Sequence, residues 1–141
     1  MLKGIPSIIS PELLKILDEM GHGDEIVIGD GNFPSSSIGA RVIRADGHGV
    51  PELLDAILKL FPLDTYVDAP VALMEVVPGD PVVPVIWDDF KKIVDAHGGA
   101  AIEHIERFAF YERAKKAYAV IASGESAIYA NVILKKGVVK D

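Results

Sequence analysis

A histidine between two glycines, Gly21-His22-Gly23, stands before a short β-branched run, and an aspartate between two more glycines, Gly29-Asp30-Gly31, stands after it. Imidazole is the commonest general acid or base, and a carboxylate can orient it or accept a hydrogen bond from a hydroxyl. Each residue also has a plain structural explanation. A histidine at a helix C-terminus complements the helix dipole, and an aspartate between glycines is an ordinary turn residue. A second segment, Arg107-Phe108-Ala109-Phe110-Tyr111-Glu112-Arg113, sets cations beside clustered aromatics. Rings cover C–H faces while a guanidinium binds hydroxyls, so the segment suits a hydroxyl-rich ligand. The simpler reading is an amphipathic helix with aromatics in the core and Glu112 and Arg113 in water. A third, Tyr129-Ala130-Asn131, offers neutral donors and acceptors, or is only a strand entry. The remaining histidines, His48, His97 and His104, form neither a helical His-x-x-x-His nor an HExxH pattern, so no metal site is expected.

The elements that must position these residues follow from capping and periodicity. Ser10-Pro11-Glu12 reads as an N-cap, first helical residue and acidic first turn, with Leu13, Leu14, Leu17 and Met20 at helical spacing and Gly21 as the stop. Ile26–Ile28 reads as a strand, 29–39 as a Gly/Ser/Pro-rich loop, and 41–44 as another strand. Pro51-Glu52 opens a helix that turns Leu53, Leu54, Ile57, Leu58 and Phe61 inward. A buried strand over 70–77 and a Pro78-Gly79-Asp80-Pro81 turn precede a helix over 87–97, in which His97 caps the end before Gly98-Gly99. A helix over 107–116, strands over 118–122 and 132–134, and a Ser123-Gly124-Glu125 turn complete the chain. Helices alternate with strands without a linker, repeat or low-complexity tract. The pattern predicts one α/β domain over residues 1–141, with helices packed on a mixed, largely parallel sheet.

Composition narrows the chemistry. The 141 residues carry a net charge of −7, which disfavours nucleic acid, and contain no cysteine, which excludes thiol nucleophiles and thiolate metal sites. No G-x-G-x-x-G or P-loop follows a strand, so nucleotide binding has no support. Half the residues are hydrophobic, and mean hydropathy is +0.29. The apolar runs fall far short of the about 20 residues needed to span a membrane. Burial between subunits of a homo-oligomer is the better account of the excess. The first residues lack the apolar core of a signal peptide, so a cytoplasmic protein is expected.

Six segments taken together carry more than any one alone: Ile9–Leu14, Glu19–Asp24, Val42–Gly47, Arg107–Arg113, Tyr129–Asn131 and Leu134–Val138. In this order they resemble the family that joins fucose mutarotases with D-ribose pyranases, and Arg107–Arg113 resembles the fucose branch. The resemblance implies a ring-forming subunit of a decamer with sites near subunit contacts, and no cofactor. It implies interconversion of the anomers of a monosaccharide such as L-fucose by opening and reclosing the hemiacetal. His22 matches the general acid that protonates the ring oxygen. Asp30, Arg107, Tyr129 and Asn131 match positions that hold the sugar, Asp30 also being able to orient His22 and Arg107 to steady charge on the anomeric oxygen. One departure stands out: the fucose branch tends to read Ser-Asp-Ala-His-Phe-Pro where this chain has Gly29-Asp30-Gly31-Asn32-Phe33-Pro34. Asn32 in place of histidine bears on substrate preference more than on reaction type. A D-ribose pyranase and a non-catalytic sugar-binding ring are the alternatives.

Overall fold

The computed structural model describes residues 1–141. Helix α1 (Pro11–Glu19) starts where expected, with the Ser10 hydroxyl accepting from the Leu13 amide at 3.1 Å. Its end differs from the glycine stop expected at Gly21. The chain leaves the helix at Met20 in extended backbone (φ −64°, ψ 133°), and the left-handed turn falls two residues later at Gly23 (φ 86°). Strand β1 (Glu25–Gly29) follows. A short helix, α2 (Ser35–Ile38), then interrupts the segment read as a loop. Next come β2 (Val42–Ala45), α3 (Val50–Leu58), β3 (Val71–Met74) and α4 (Ile86–Ala96). The Glu52 carboxylate caps α3 by accepting from the Gly49 amide at 2.8 Å. The C-cap of α4 is His97, and its Nε2 meets the Asp55 carboxylate of α3 at 2.7 Å.

A strand absent from the sequence reading, β4 (Ile102–Ile105), leads into α5 (Arg107–Lys116), whose first turn is capped by Glu106. Strands β5 (Ala119–Ser123) and β6 (Val132–Lys135) close the chain. The six strands lie in the order β2-β5-β1-β6-β3-β4. β6 runs antiparallel to both its neighbours, and the other strands share one direction. The sheet is therefore mixed and largely parallel, as the alternation of elements predicts.

Both faces are covered, which is why the central strands are apolar except at their ends, where Glu25, Ser123 and Lys135 fall. Successive side chains alternate between two cores. Ile26 and Ile28 of β1 join Leu13, Leu54, Ile57 and Phe90 in the larger one. Val27, between them, joins Phe33, Phe110 and Ala114 in the smaller one. The larger core lies under α1, α3 and α4, and the smaller under α2 and α5. Each fully buried Ile, Leu or Phe contributes about 1.5–3 kcal/mol of transfer free energy.

One close approach locks the β5 exit. Gly124 donates its amide to the His48 carbonyl at 2.9 Å, and a Cβ there would collide with the Asp46 carbonyl. Gly124→Ala should therefore destabilise the fold by about 1–3 kcal/mol, the usual range for forced overpacking. Urea denaturation with a lower midpoint and an unchanged slope is the expected readout.

Candidate functional site

With five strands running one way, their C-terminal ends and the start of β6 share one edge of the sheet. That edge is where open α/β sheets place ligands. A cleft of about 260 Å³ opens there, lined on its polar side by Asp30, Asp80, Arg107, Tyr129 and Asn131. Its apolar wall includes Phe33, Met74, Val77 and Tyr111. The volume falls just under the about 300–1,000 Å³ of pockets for drug-sized molecules, so the cleft suits a smaller ligand.

Asp30 follows the last residue of β1 and is only 5% exposed, as is Asn131. The two are joined directly, the Asp30 amide donating to Asn131 Oδ1 at 2.8 Å. The Asp30 carboxylate accepts from the amides of Asn32 at 3.0 Å and Ala130 at 3.3 Å. Burial pushes the carboxyl above the ordinary carboxylate range. The Asn32, Ala130 and Phe33 amides oppose the rise, and the Glu125 charge adds to it.

Tyr129 is the one non-glycine residue with a positive φ, 57°. Its hydroxyl donates to Asp80 Oδ2 at 2.6 Å, and this bond pushes the phenol above its usual value. Its carbonyl accepts from the Trp87 indole N–H at 2.8 Å. Arg107 opens α5 with its guanidinium 4.4 Å from the centre of the Phe108 ring. Its Nε is buried without a hydrogen-bond partner. A buried, unpaired guanidinium N–H costs free energy that a ligand oxygen would recover. A second hollow of about 220 Å³ lies against Asp30 on the side of α2 and is lined by Ser35–Ser37, Arg44 and Asp46. There the arginine is already satisfied, Arg44 Nε donating to Asp46 at 3.1 Å.

Four of the five sequence-predicted residues thus converge on one cleft. His22 does not. It precedes β1, at the opposite edge of the sheet, separated from Asp30 by the five-residue strand, or roughly 16 Å of rise. Asp30 therefore cannot orient His22 within one copy. Asp64 does so instead: the His22 Nε2–H donates to its carboxylate at 3.0 Å. Asp64 is 5% exposed. The Tyr66 amide, and then the His22 ring, hold it below the usual carboxylate range against the effect of burial. The His22 side chain is 47% exposed, and its ring lies 5.2 Å from that of Tyr66.

In the Arg107–Arg113 segment the two sequence readings divide. Phe110 enters the core while Phe108 stays 60% exposed. Arg113 leaves the water expected for it and clamps Glu25 of β1 and Glu103 of β4, each at 2.6 Å. Sequence reasoning missed Asp64 and Asp80. Asp80 was visible only as a turn aspartate, and the Asp64–His22 pair spans 42 residues.

Fold and site together define an α/β protein with a polar cleft at the strand C-termini, built for a small hydroxyl-bearing molecule. The chain belongs to the RbsD / FucU transport protein family, whose pattern matches residues 3–139. It is 56% identical over 144 residues to the fucose mutarotase of Homo sapiens, covering 97% of this chain and 94% of that protein. Its structure superposes on that of the fucose mutarotase of Streptococcus pneumoniae in complex with L-fucose. The TM-score is 0.96, the identity 55%, and the coverage 99% of this chain and 100% of the other. Bacillus subtilis RbsD complexed with D-ribose shares the fold at a TM-score of 0.76 and 23% identity, over 99% of this chain and 100% of that one.

The buried Asp30 carboxyl makes a pH prediction. The folded state holds its proton more tightly than the unfolded chain. Stability at this group is therefore lost as pH rises from about 4, the ordinary carboxylate value, through the raised one. Asp30→Asn removes that titration. Urea unfolding across this window should show the wild type losing stability relative to the variant. Parallel pH dependences would rule burial out as the cause.

Proposed function

We propose that this chain is a mutarotase that interconverts the anomers of L-fucose, residues 1–141 forming one mutarotase domain. The observation that carries this reading is the buried, partnerless Nε of Arg107 in a cleft that also holds Asp30, Tyr129 and Asn131. The human and streptococcal relatives named above support the substrate. So does the cleft's division into a polar and an apolar side. L-Fucose is a 6-deoxy sugar, and Phe33, Met74 and Val77 suit its methyl group and C–H face. Ribose has no methyl group to place there.

Mutarotation needs a proton delivered to the ring oxygen and another taken from the anomeric hydroxyl. The C1–O5 bond then breaks, the aldehyde turns, and the ring recloses on the other face. Arg107 steadies charge developing on oxygen. The Asp30 carboxylate accepts from sugar hydroxyls. Asn131 spends its carbonyl on the Asp30 amide, which leaves its NH₂ to donate. His22 is the general acid, and it acts in the cleft of an adjoining copy because its own cleft lies at the other edge of the sheet. Asp64 orients it by binding Nε2, leaving Nδ1 as the ring nitrogen for the sugar.

This reading makes the oligomer part of the active site. The exposed apolar residues Tyr66, Val67, Val138 and Val139 supply surface for such contacts, and the family resemblance supports a ring of ten copies. No helix is long and apolar enough to cross a membrane, which accords with a cytoplasmic enzyme.

Saturation-transfer NMR on L-fucose tests the activity directly. The chain should accelerate anomer exchange of L-fucose more than that of D-ribose, and fucose binding without acceleration would favour a passive sugar-binding ring. His22→Ala should lower exchange by about 10²–10⁴-fold, the usual contribution of a positioned acid or base. Co-assembling H22A with Arg107→Ala should restore part of the activity, since some sites then pair an intact His22 with an intact cleft. No restoration from two variants that each still assemble would count against a shared site.

A further inference from the structure

Asp80 lines the cleft but takes no part in the steps assigned to His22, Arg107 and Asp30. It lies in the turn after β3, where its amide donates to the Val77 carbonyl at 3.0 Å. One carboxylate oxygen, Oδ1, accepts from the Val82 amide at 3.1 Å and holds the turn. The other, Oδ2, takes the Tyr129 phenolic hydrogen at 2.6 Å. The Val77 amide approaches the same phenolic oxygen at 3.4 Å. Tyr129 itself is held in a left-handed backbone conformation, φ 57°, which costs a bulky residue free energy and persists only where its surroundings dictate it. Those surroundings are the Trp87 indole on the Tyr129 carbonyl and Asp80 on its hydroxyl.

The bond has a direction that matters. A carboxylate can only accept, so the phenolic hydrogen points at Asp80 and away from the ligand. Tyr129 therefore presents an oxygen lone pair to the cleft and accepts from a sugar hydroxyl. Arg107 lines the same cleft, and its charge favours Tyr129 ionisation while Asp80 opposes it. A sugar oxygen held by Arg107 would share this cleft with the Tyr129 hydroxyl.

We propose that Asp80 is a positioning residue that acts through Tyr129 as the proton sink for the anomeric hydroxyl, an inference that rests on the mutarotase reading. In the step, the anomeric O–H bond breaks and its proton passes to the Tyr129 oxygen. The phenolic proton moves along the existing hydrogen bond to Asp80 Oδ2, so the phenol stays neutral and the carboxylate becomes a carboxylic acid. The C1–O5 bonding pair leaves with O5, which takes a proton from His22 of the adjoining copy. Reclosure reverses each transfer, and both groups regain their starting charge.

Asp80→Asn separates this role from a structural one. The amide oxygen can still hold the turn and accept from Tyr129, but the side chain cannot take a proton. Exchange at saturating L-fucose should fall at least tenfold, in the manner of a lost proton acceptor, with KM within about twofold of wild type and the oligomer intact. Asp80→Glu should recover part of the loss. In a Tyr129→Phe background, D80N should add little, because the two residues act as one unit. An independent readout needs no turnover: with tyrosine labelled at the ring carbon bearing oxygen, the Tyr129 NMR signal should titrate at lower pH in D80N. Wild-type turnover in D80N, a loss confined to KM, full additivity with Y129F or an unmoved Tyr129 titration would each overturn the role. A wild-type chain that fails to exchange fucose anomers would overturn the mutarotase reading itself, and this role with it.

Discussion

Two buried hydrogen bonds join the end of β1 to the start of β6, and the cleft depends on them. The Asp30 amide donates to Asn131, and the Ala130 amide donates to Asp30. Both side chains are almost fully buried, so breaking either bond would strand polar groups where water cannot replace the partner. The bonds can form only because β6 runs against its neighbours. An antiparallel strand brings its first residues to the edge where the parallel strands end, so Tyr129–Asn131 arrives opposite Asp30. The same loop is held from the β5 side, where the Gly31 amide donates to the Glu125 carbonyl at 2.8 Å. Three chain segments far apart in sequence therefore share one small patch of satisfied backbone. The groups left over point into the cleft.

The same strand that leads into Asp30 begins at Glu25, shortly after His22. β1 thus separates His22 from the cleft residues along the full length of the strand, and no side-chain rotation closes that gap. In the mutarotase reading, assembly is then a condition of turnover rather than an accessory to stability. The surroundings of His22 agree with a surface prepared for contact. A buried carboxylate fixes its ring, while the ring itself stays half exposed beside an exposed tyrosine.

Much of this was legible in the sequence, for physical reasons. Helices announced themselves through caps and through apolar spacing, as Ser10-Pro11-Glu12 and Leu53–Ile57 did. The central strands announced themselves as continuous apolar runs because both faces are covered. β4 did not, since Ile102-Glu103-His104-Ile105 lies at an exposed sheet edge and is too short and too polar to stand out from a loop. Helix α2 hid in a stretch of serines whose propensity is for turns. Asp30, Arg107, Tyr129 and Asn131 could be named from family segments, but their convergence follows from strand order, which no local pattern reports. The ties of Asp64 to His22 and of Asp80 to Tyr129 were out of reach for the same reason.

The balance of charge in the cleft sets the kind of ligand it can hold. Two carboxylates, Asp30 and Asp80, face one guanidinium there, in a chain whose net charge is already −7. A phosphorylated or carboxylated sugar would meet repulsion from both acids with only Arg107 to offset it. A neutral sugar instead supplies hydroxyl hydrogens that the carboxylates accept and lone pairs that Arg107 Nε lacks. The loop departure at Asn32 fits the same scheme. Where the fucose branch tends to place a histidine, a neutral amide lines the cleft here, so a cation that could draw an anionic ligand is missing. In the mutarotase reading, the chain's own variation thus bears on which hydroxyls are read and leaves the proposed proton transfers untouched.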